Sequence, residues 1–279
     1  MINDKALLVN LEISTWTGRK FDKDATDTVV EEYQAGDNDC GRFNKALIDK
    51  KLVNEIVKLD QRARNFLYEQ TVPWDNSGTR MLPTVNYFKF VDGINKIKTE
   101  REEVVSAFLM NYNDEVEKSK ERLGGLWKAN DYPSVNRLSD KFRFHIGFYP
   151  IPTTDFRVSL NDTEVEQIKE NMRKELEEVQ QTASKNLWQR MHKATSRIVE
   201  RLSDSDKVFK KNLFENVEEL YGIVKSLNVY DDPKIDSMIE RMKTELLKYD
   251  PDTIRENNTV RSEVAKQADE ILSTINDFI

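Results

Sequence analysis

"TEVEQIKENMRKELEEVQQTASKNLWQRMHKATSRIVERL", Thr163–Leu202, is the stretch on which the fold turns. Val165, Ile168, Met172, Leu176, Val179, Ala183, Leu187, Met191, Ala194, Ile198 and Leu202 follow one another at steps of three or four, with no Gly or Pro between them. That is the period of one helical face. Asn161 or Asp162 supplies the N-cap. Roughly 40 residues rising about 1.5 Å each make a rod of about 60 Å. So narrow an apolar stripe needs another helix beside it.

Working outward, the segment 84–123 carries a matching stripe: Ile94, Ile97, Val104, Val105, Phe108, Leu109, Tyr112 and Val116. Pro83 opens it, Gly93 weakens it and Gly124-Gly125 stops it. The expected arrangement is a long antiparallel helical hairpin, coiled-coil-like, within one chain; homo-oligomerisation is the alternative. Further helices are expected over Asn44–Gln70, ended by Pro73, and over Ser134–Phe142. A shorter one, capped by Asp22 or Asp24, runs to Gln34. "LSDSD" at 202–206 reads as a hinge, dividing the chain into 1–202 and 203–279. Three helices follow it, at 207–227, 233–249 and 251–279, the last interrupted at Asn257-Asn258. "DDPK" and "DPDT" each place a Pro in the first turn behind an Asp cap.

Two stretches read as strands. Leu7, Val9, Leu11 and Ile13 alternate with Leu8, Asn10, Glu12 and Ser14. In "FRFHIGFYPIPTTDFRVSL", Phe142–Leu160, the alternation is broken by Pro150 and Pro152. Its second half, Phe156–Leu160, is the expected partner of the N-terminal strand, because a lone strand leaves its backbone groups unpaired. The expected class is therefore mainly α: the long hairpin, a small two-stranded β-sheet and a C-terminal helical bundle.

Composition narrows the function. The single cysteine, Cys40, excludes an internal disulfide and a Cys-rich metal site. No run approaches the ~20 apolar residues of a membrane span, and Asn10 and Glu12 cut the N-terminal apolar run too early for a signal peptide. A cytoplasmic protein is expected. The phosphate-binding, dinucleotide, metalloprotease and serine-hydrolase signatures are absent. His145 and His192 stand without a His or Cys at metal-ligand spacing, and the carboxylates lie on charge-dense helical faces. No catalytic, cofactor-binding or metal residue is expected, and the chain reads as non-enzymatic.

Cations form two patterns. Lys185, Lys193, Arg197 and Arg201 recur at multiples of four on the long helix, with Arg190 nearby, behind an acidic first half. Phosphates can dock on such a ladder, although acid at a helix start and base at its end is also what the helix dipole favours. In "KFRFHIGFY", Lys141–Tyr149, Phe144 and Tyr149 interleave with cations as on a single-strand-binding platform; the same alternation suits a half-buried strand. The net charge of -7 opposes bulk attraction to nucleic acid. Elsewhere, Trp16, Arg19 and Lys20 at a strand end, and Trp74, Asp75 and Arg80 in a loop, are the expected contacts for a protein partner.

"VNLEISTWTGRKFD" (9–22), "RARNFLYEQTVPW" (62–74), "RMLP" (80–83), "FLMNY" (108–112), "DYPS" (131–134), "PIP" (150–152), "DDPKIDSMI" and "TIRENNTVRSEVAKQADEIL" together resemble a family of tailed phages and bacteria known only as a domain of unknown function. Its members are often encoded near a chelatase- and chaperone-type AAA+ ATPase and a von Willebrand A protein. The resemblance implies a phage-encoded partner or adaptor of that pair, acting in the host cytoplasm, and carries no catalytic residues. A nucleic-acid-binding protein of phage replication or recombination is the alternative, and a virion assembly component a third.

Overall fold

The computed structural model describes residues 2–36, 40–152, 162–204 and 207–279. In chain order the elements are β1 (Ala6–Ile13), β2 (Arg19–Phe21), α1 (Lys23–Glu32), β3 (Asn44–Ala46), α2 (Lys50–Gln70), β4 (Val72–Pro73), β5 (Arg80–Pro83) and α3 (Tyr87–Leu123). Then come α4 (Val135–Ser139), β6 (Phe144–Tyr149), α5 (Asp162–Leu202), α6 (Asn212–Leu227), α7 (Pro233–Leu246), α8 (Pro251–Glu256) and α9 (Asn258–Asn276). The protein is mainly helical, as its periodicities require. Among the described residues no helix is long and apolar enough to cross a membrane.

Side-chain caps place most helix starts. Asp22 accepts the Ala25 N–H ahead of α1, Asp232 the Lys234 N–H ahead of α7, and Asp250 the Asp252 N–H ahead of α8. Asn257 accepts from the N–H groups of Thr259 and Val260, so the interruption expected near 257 is a new helix start. The helix expected from Asn44 starts later: Asn44–Ala46 is a strand, and Asp49 accepts the Lys51 N–H at the start of α2.

By internal contacts the chain forms two compact units. One comprises Met1–Asn10, Tyr68–Phe90 and Gly147–Ile279; the other comprises Leu11–Leu67 and Val91–Ile146. The division falls inside β1, α2, α3 and β6, and not at 202. The described residues on either side of 205–206 are held from within the first unit: the buried Arg261 donates to the carbonyls of Leu202 (3.2 Å), Arg201 (2.8 Å), Asp204 (2.5 Å) and Lys207 (2.8 Å). A cation there also meets the negative end of the α5 dipole.

In the first unit α5 is 41 residues long, and its partner is α9. Most of α3, the helix expected to pair with α5, belongs to the second unit. Val264, Ala268, Ile271 and Ile275 of α9 are buried at helical spacing and offer α5 a complementary stripe. The pair is antiparallel, with Arg261 at the α5 C-terminus and Phe278 stacked on Trp188 at 4.2 Å. Burial along α5 starts at Ala183, and Val165, Ile168, Met172, Leu176 and Val179 are only half-buried. β1 pairs antiparallel with β5, Ala6 opposite Pro83 through Val9 opposite Arg80, in a sheet of order β4-β5-β1-β6. Phe156–Leu160, expected to pair with β1, lies outside the described residues.

The second unit holds the two-stranded antiparallel sheet β2-β3, Arg19 opposite Ala46 and Phe21 opposite Asn44. Its core gathers Trp16, Leu47, Ile48, Val53, Ile56, Val105, Phe108, Tyr112 and Leu138. Two buried ion clusters pin it. Arg101 reaches Asp60 Oδ1 at 2.5 Å, Ser14 O and Thr15 Oγ1 at 3.0 Å each, and Phe142 O at 3.4 Å. Lys45 Nζ lies 2.7 Å from Asp22 Oδ2, 2.6 Å from Asp131 Oδ2 and 2.7 Å from Leu126 O.

Candidate functional site

Two surfaces combine residues expected from sequence with unexpected neighbours, one in each unit. In the second unit, β2 leaves all three of its residues, Arg19, Lys20 and Phe21, exposed. Thr26 in α1 accepts the Phe43 N–H at 3.0 Å, which ties Phe43 to the helix that carries Val29 and ends at Tyr33. Phe21, Val29, Tyr33 and Phe43 are all exposed, Tyr33 at 77%. Four exposed apolar side chains on one short sheet and its adjoining helix, near two cations, are costly to leave in water. The Lys45 cluster ties β3 to Asp22 at the start of α1. Hydrogen bonding to Lys45 holds the Asp22 carboxyl below its ordinary range. Burial opposes the Lys45 charge, but the hydrogen bonds to Asp131 and Asp22 prevail and raise its ammonium above the usual value.

Trp16, expected at the same surface, is a core residue. It is 9% exposed, with its ring edge-on to Tyr112 at 5.9 Å and tilted against Phe108 at 6.3 Å, so it presents no face to a partner. It carries Arg19 and Lys20 outward instead of joining them.

In the first unit a cavity of about 600 Å³ opens between α5, α6, the end of α2 and β5. Arg190, Lys193 and Arg197 come from α5 and Arg80 from β5; Ala194, Leu213, Leu220 and Ile223 supply apolar lining. Glu69 is its single carboxylate among the lining residues. Arg190 caps α2, donating to the carbonyls of Tyr68 (2.5 Å), Glu69 (2.9 Å) and Thr71 (2.7 Å), with Nε on Asn186 Oδ1 (3.0 Å). Arg80 reaches Thr71 Oγ1 at 2.6 Å and Thr71 O at 3.1 Å, and its guanidinium lies 4.8 Å over the Tyr68 ring. Burial lowers the pKa of both arginines. For Arg190 burial, joined by the positive charge of Arg80, brings it down to about 10.

The remaining expected residues scatter. Trp74 packs half-buried against the core of its unit. Asp75 accepts from the Ser77 and Thr79 N–H groups at 2.8 and 3.0 Å; burial pushes its carboxyl up, but these bonds hold it below the usual range, in a turn-forming role. Lys185 and Arg201 are exposed on α5 outside the cavity. Phe144 is half-buried in the second unit under the Arg101 guanidinium, 5.6 Å from its ring centroid. Tyr149 is in the first unit, folded over Gly147, where a Cβ would sit 2.6 Å from its hydroxyl oxygen. Phe144 and Tyr149 thus lie in different units, and Tyr149 is exposed.

A family model described as "Protein of unknown function (DUF3150)" matches residues 3–251. No curated protein and no solved structure matches the chain.

Proposed function

We propose, from the premise that the chain belongs to the DUF3150 family, that it is a non-enzymatic interaction protein, an adaptor that receives a protein partner on the β2-β3 and α1 face. The observation that carries this reading is the exposed set Phe21, Val29, Tyr33 and Phe43 beside Arg19 and Lys20. Aromatic anchors with adjacent cations are the composition of protein-binding hot spots. The resemblance to phage-borne relatives supplies the partner: an AAA+ ATPase of the chelatase and chaperone type with its von Willebrand A companion, met in the cytoplasm of the host.

The test is capture of tagged protein co-expressed with that ATPase and its companion, under nuclease. Recovery of the ATPase from wild type, and its loss with Tyr33→Ser plus Phe21→Ser, supports the adaptor reading. Equal recovery with both proteins overturns the assignment of this face.

A nucleic-acid-binding role is the second reading. Lys185, Lys193, Arg197 and Arg201 are exposed along α5, and among the described residues none has a carboxylate partner. Binding to DNA that falls steeply with salt, with a slope reduced by charge reversal at these positions, favours it; no binding at low salt removes it.

A further inference from the structure

The α5–α6 cavity is independent of the adaptor face. It gathers Arg80, Arg190, Lys193 and Arg197 against the single carboxylate Glu69. Two guanidiniums lie there without a carboxylate bonded to either, and their hydrogen-bond partners are backbone carbonyls, a threonine hydroxyl and the Asn186 amide oxygen. The carbonyl end of α2 compensates Arg190 in part, but among the described residues Arg80, Lys193 and Arg197 have no carboxylate partner, so a partly buried group of cations is left for an anion to neutralise. Among the described residues, Nη1 of Arg80 and the head groups of Lys193 and Arg197 have no hydrogen-bond partner. These donors come from two elements, more than one carboxylate's pair of oxygens takes up and suited to the three terminal oxygens of a phosphate monoester. Leu213, Leu220, Ile223 and the half-exposed Tyr68 ring add apolar and aromatic surface beside them.

We infer that this cavity is a binding site for a small phosphate monoester carrying an apolar or aromatic group, with Arg80, Lys193 and Arg197 holding the phosphate and Tyr68 and the α6 side chains holding the rest. The volume is that of a small-ligand site. Lys185 and Arg201 lie outside it, which argues for a compact ligand over an extended polyanion.

The test is isothermal titration of the full chain with AMP, inorganic phosphate, adenosine and a short single-stranded DNA. One-site binding of AMP is expected, weaker binding of phosphate and none of adenosine. Lys193→Glu and Arg197→Glu, both at exposed positions, should each weaken AMP by about tenfold or more, with circular dichroism unchanged. Lys185→Glu, outside the cavity, should leave it intact. Failure of AMP and phosphate to bind overturns the inference, as does AMP binding that survives both reversals. So does DNA binding tighter than AMP and weakened equally at Lys185, which would assign the cations to a polyanion.

Discussion

Lys45 is the residue whose chemistry is most exposed to test. It is 2% accessible, between Asp22 and Asp131. Removing one partner of such a cluster strands the others, so Lys45→Met should cost about 3–5 kcal/mol in urea unfolding. The pH dependence has a definite sign. Asp22 is held below its ordinary value, so its contribution is complete above about pH 4 and lost as pH falls through the lower folded value; Lys45 is raised, so its contribution is complete below about pH 10 and lost as pH rises through the higher one. In Lys45→Met the stranded carboxylates reverse the acid limb: the thermal midpoint should rise as pH falls toward 4. A midpoint that falls there as in wild type would show that the carboxylates are not stranded. The clusters left a partial trace in the chain. Arg101 falls four residues after Ile97 and four before Val105, inside an apolar stripe, and Asp60 falls four after Ile56. A lone charge at a core position is a legible sign of a buried pair, but which acid meets which base depends on segments 41 residues apart.

At the scale of elements, the Asp-Pro starts and the Asn257 break were legible because capping is local. Asn257→Ala should cost about 1 kcal/mol in thermal or urea unfolding through the two N–H groups it satisfies. The short strands were not legible: Asn44–Ala46 and Arg80–Pro83 are stabilised by pairing with β2 and β1, which no window of three or four residues encodes. The long helix was read correctly in length, and within its unit it pairs with α9, a partner the stripe did not single out. Its stripe continues through both halves, but only the second half meets α9, and burial starts at Ala183. Amide exchange should therefore be fast over 162–180 and slow over 187–202, the low- and high-protection ends of one helix. Uniform protection along α5 would mean that its first half is covered in solution.

For the whole molecule, the proposed adaptor face and the proposed phosphate site belong to different units, each with its own core. Sites that share no side chain are expected to respond additively. Tyr33→Ser plus Phe21→Ser should abolish partner capture and leave AMP titration unchanged, Arg197→Glu should do the reverse, and the combined variant should show both losses without more. Coupling between the two readouts would show that the sites communicate. What the sequence by itself determined was the helical class, the caps, the length of α5 and the cations it presents, since these depend on residues within a few turns of one another. The tertiary structure alone decided that α9 is the partner of α5, that Trp16 turns inward while Phe21, Val29, Tyr33 and Phe43 stay out, and that Arg80 joins Arg190, Lys193 and Arg197. Apolar stripes are mutually compatible surfaces, so periodicity specifies that a helix must be covered and not by what; that choice is made by shape and buried charge across segments far apart in the chain.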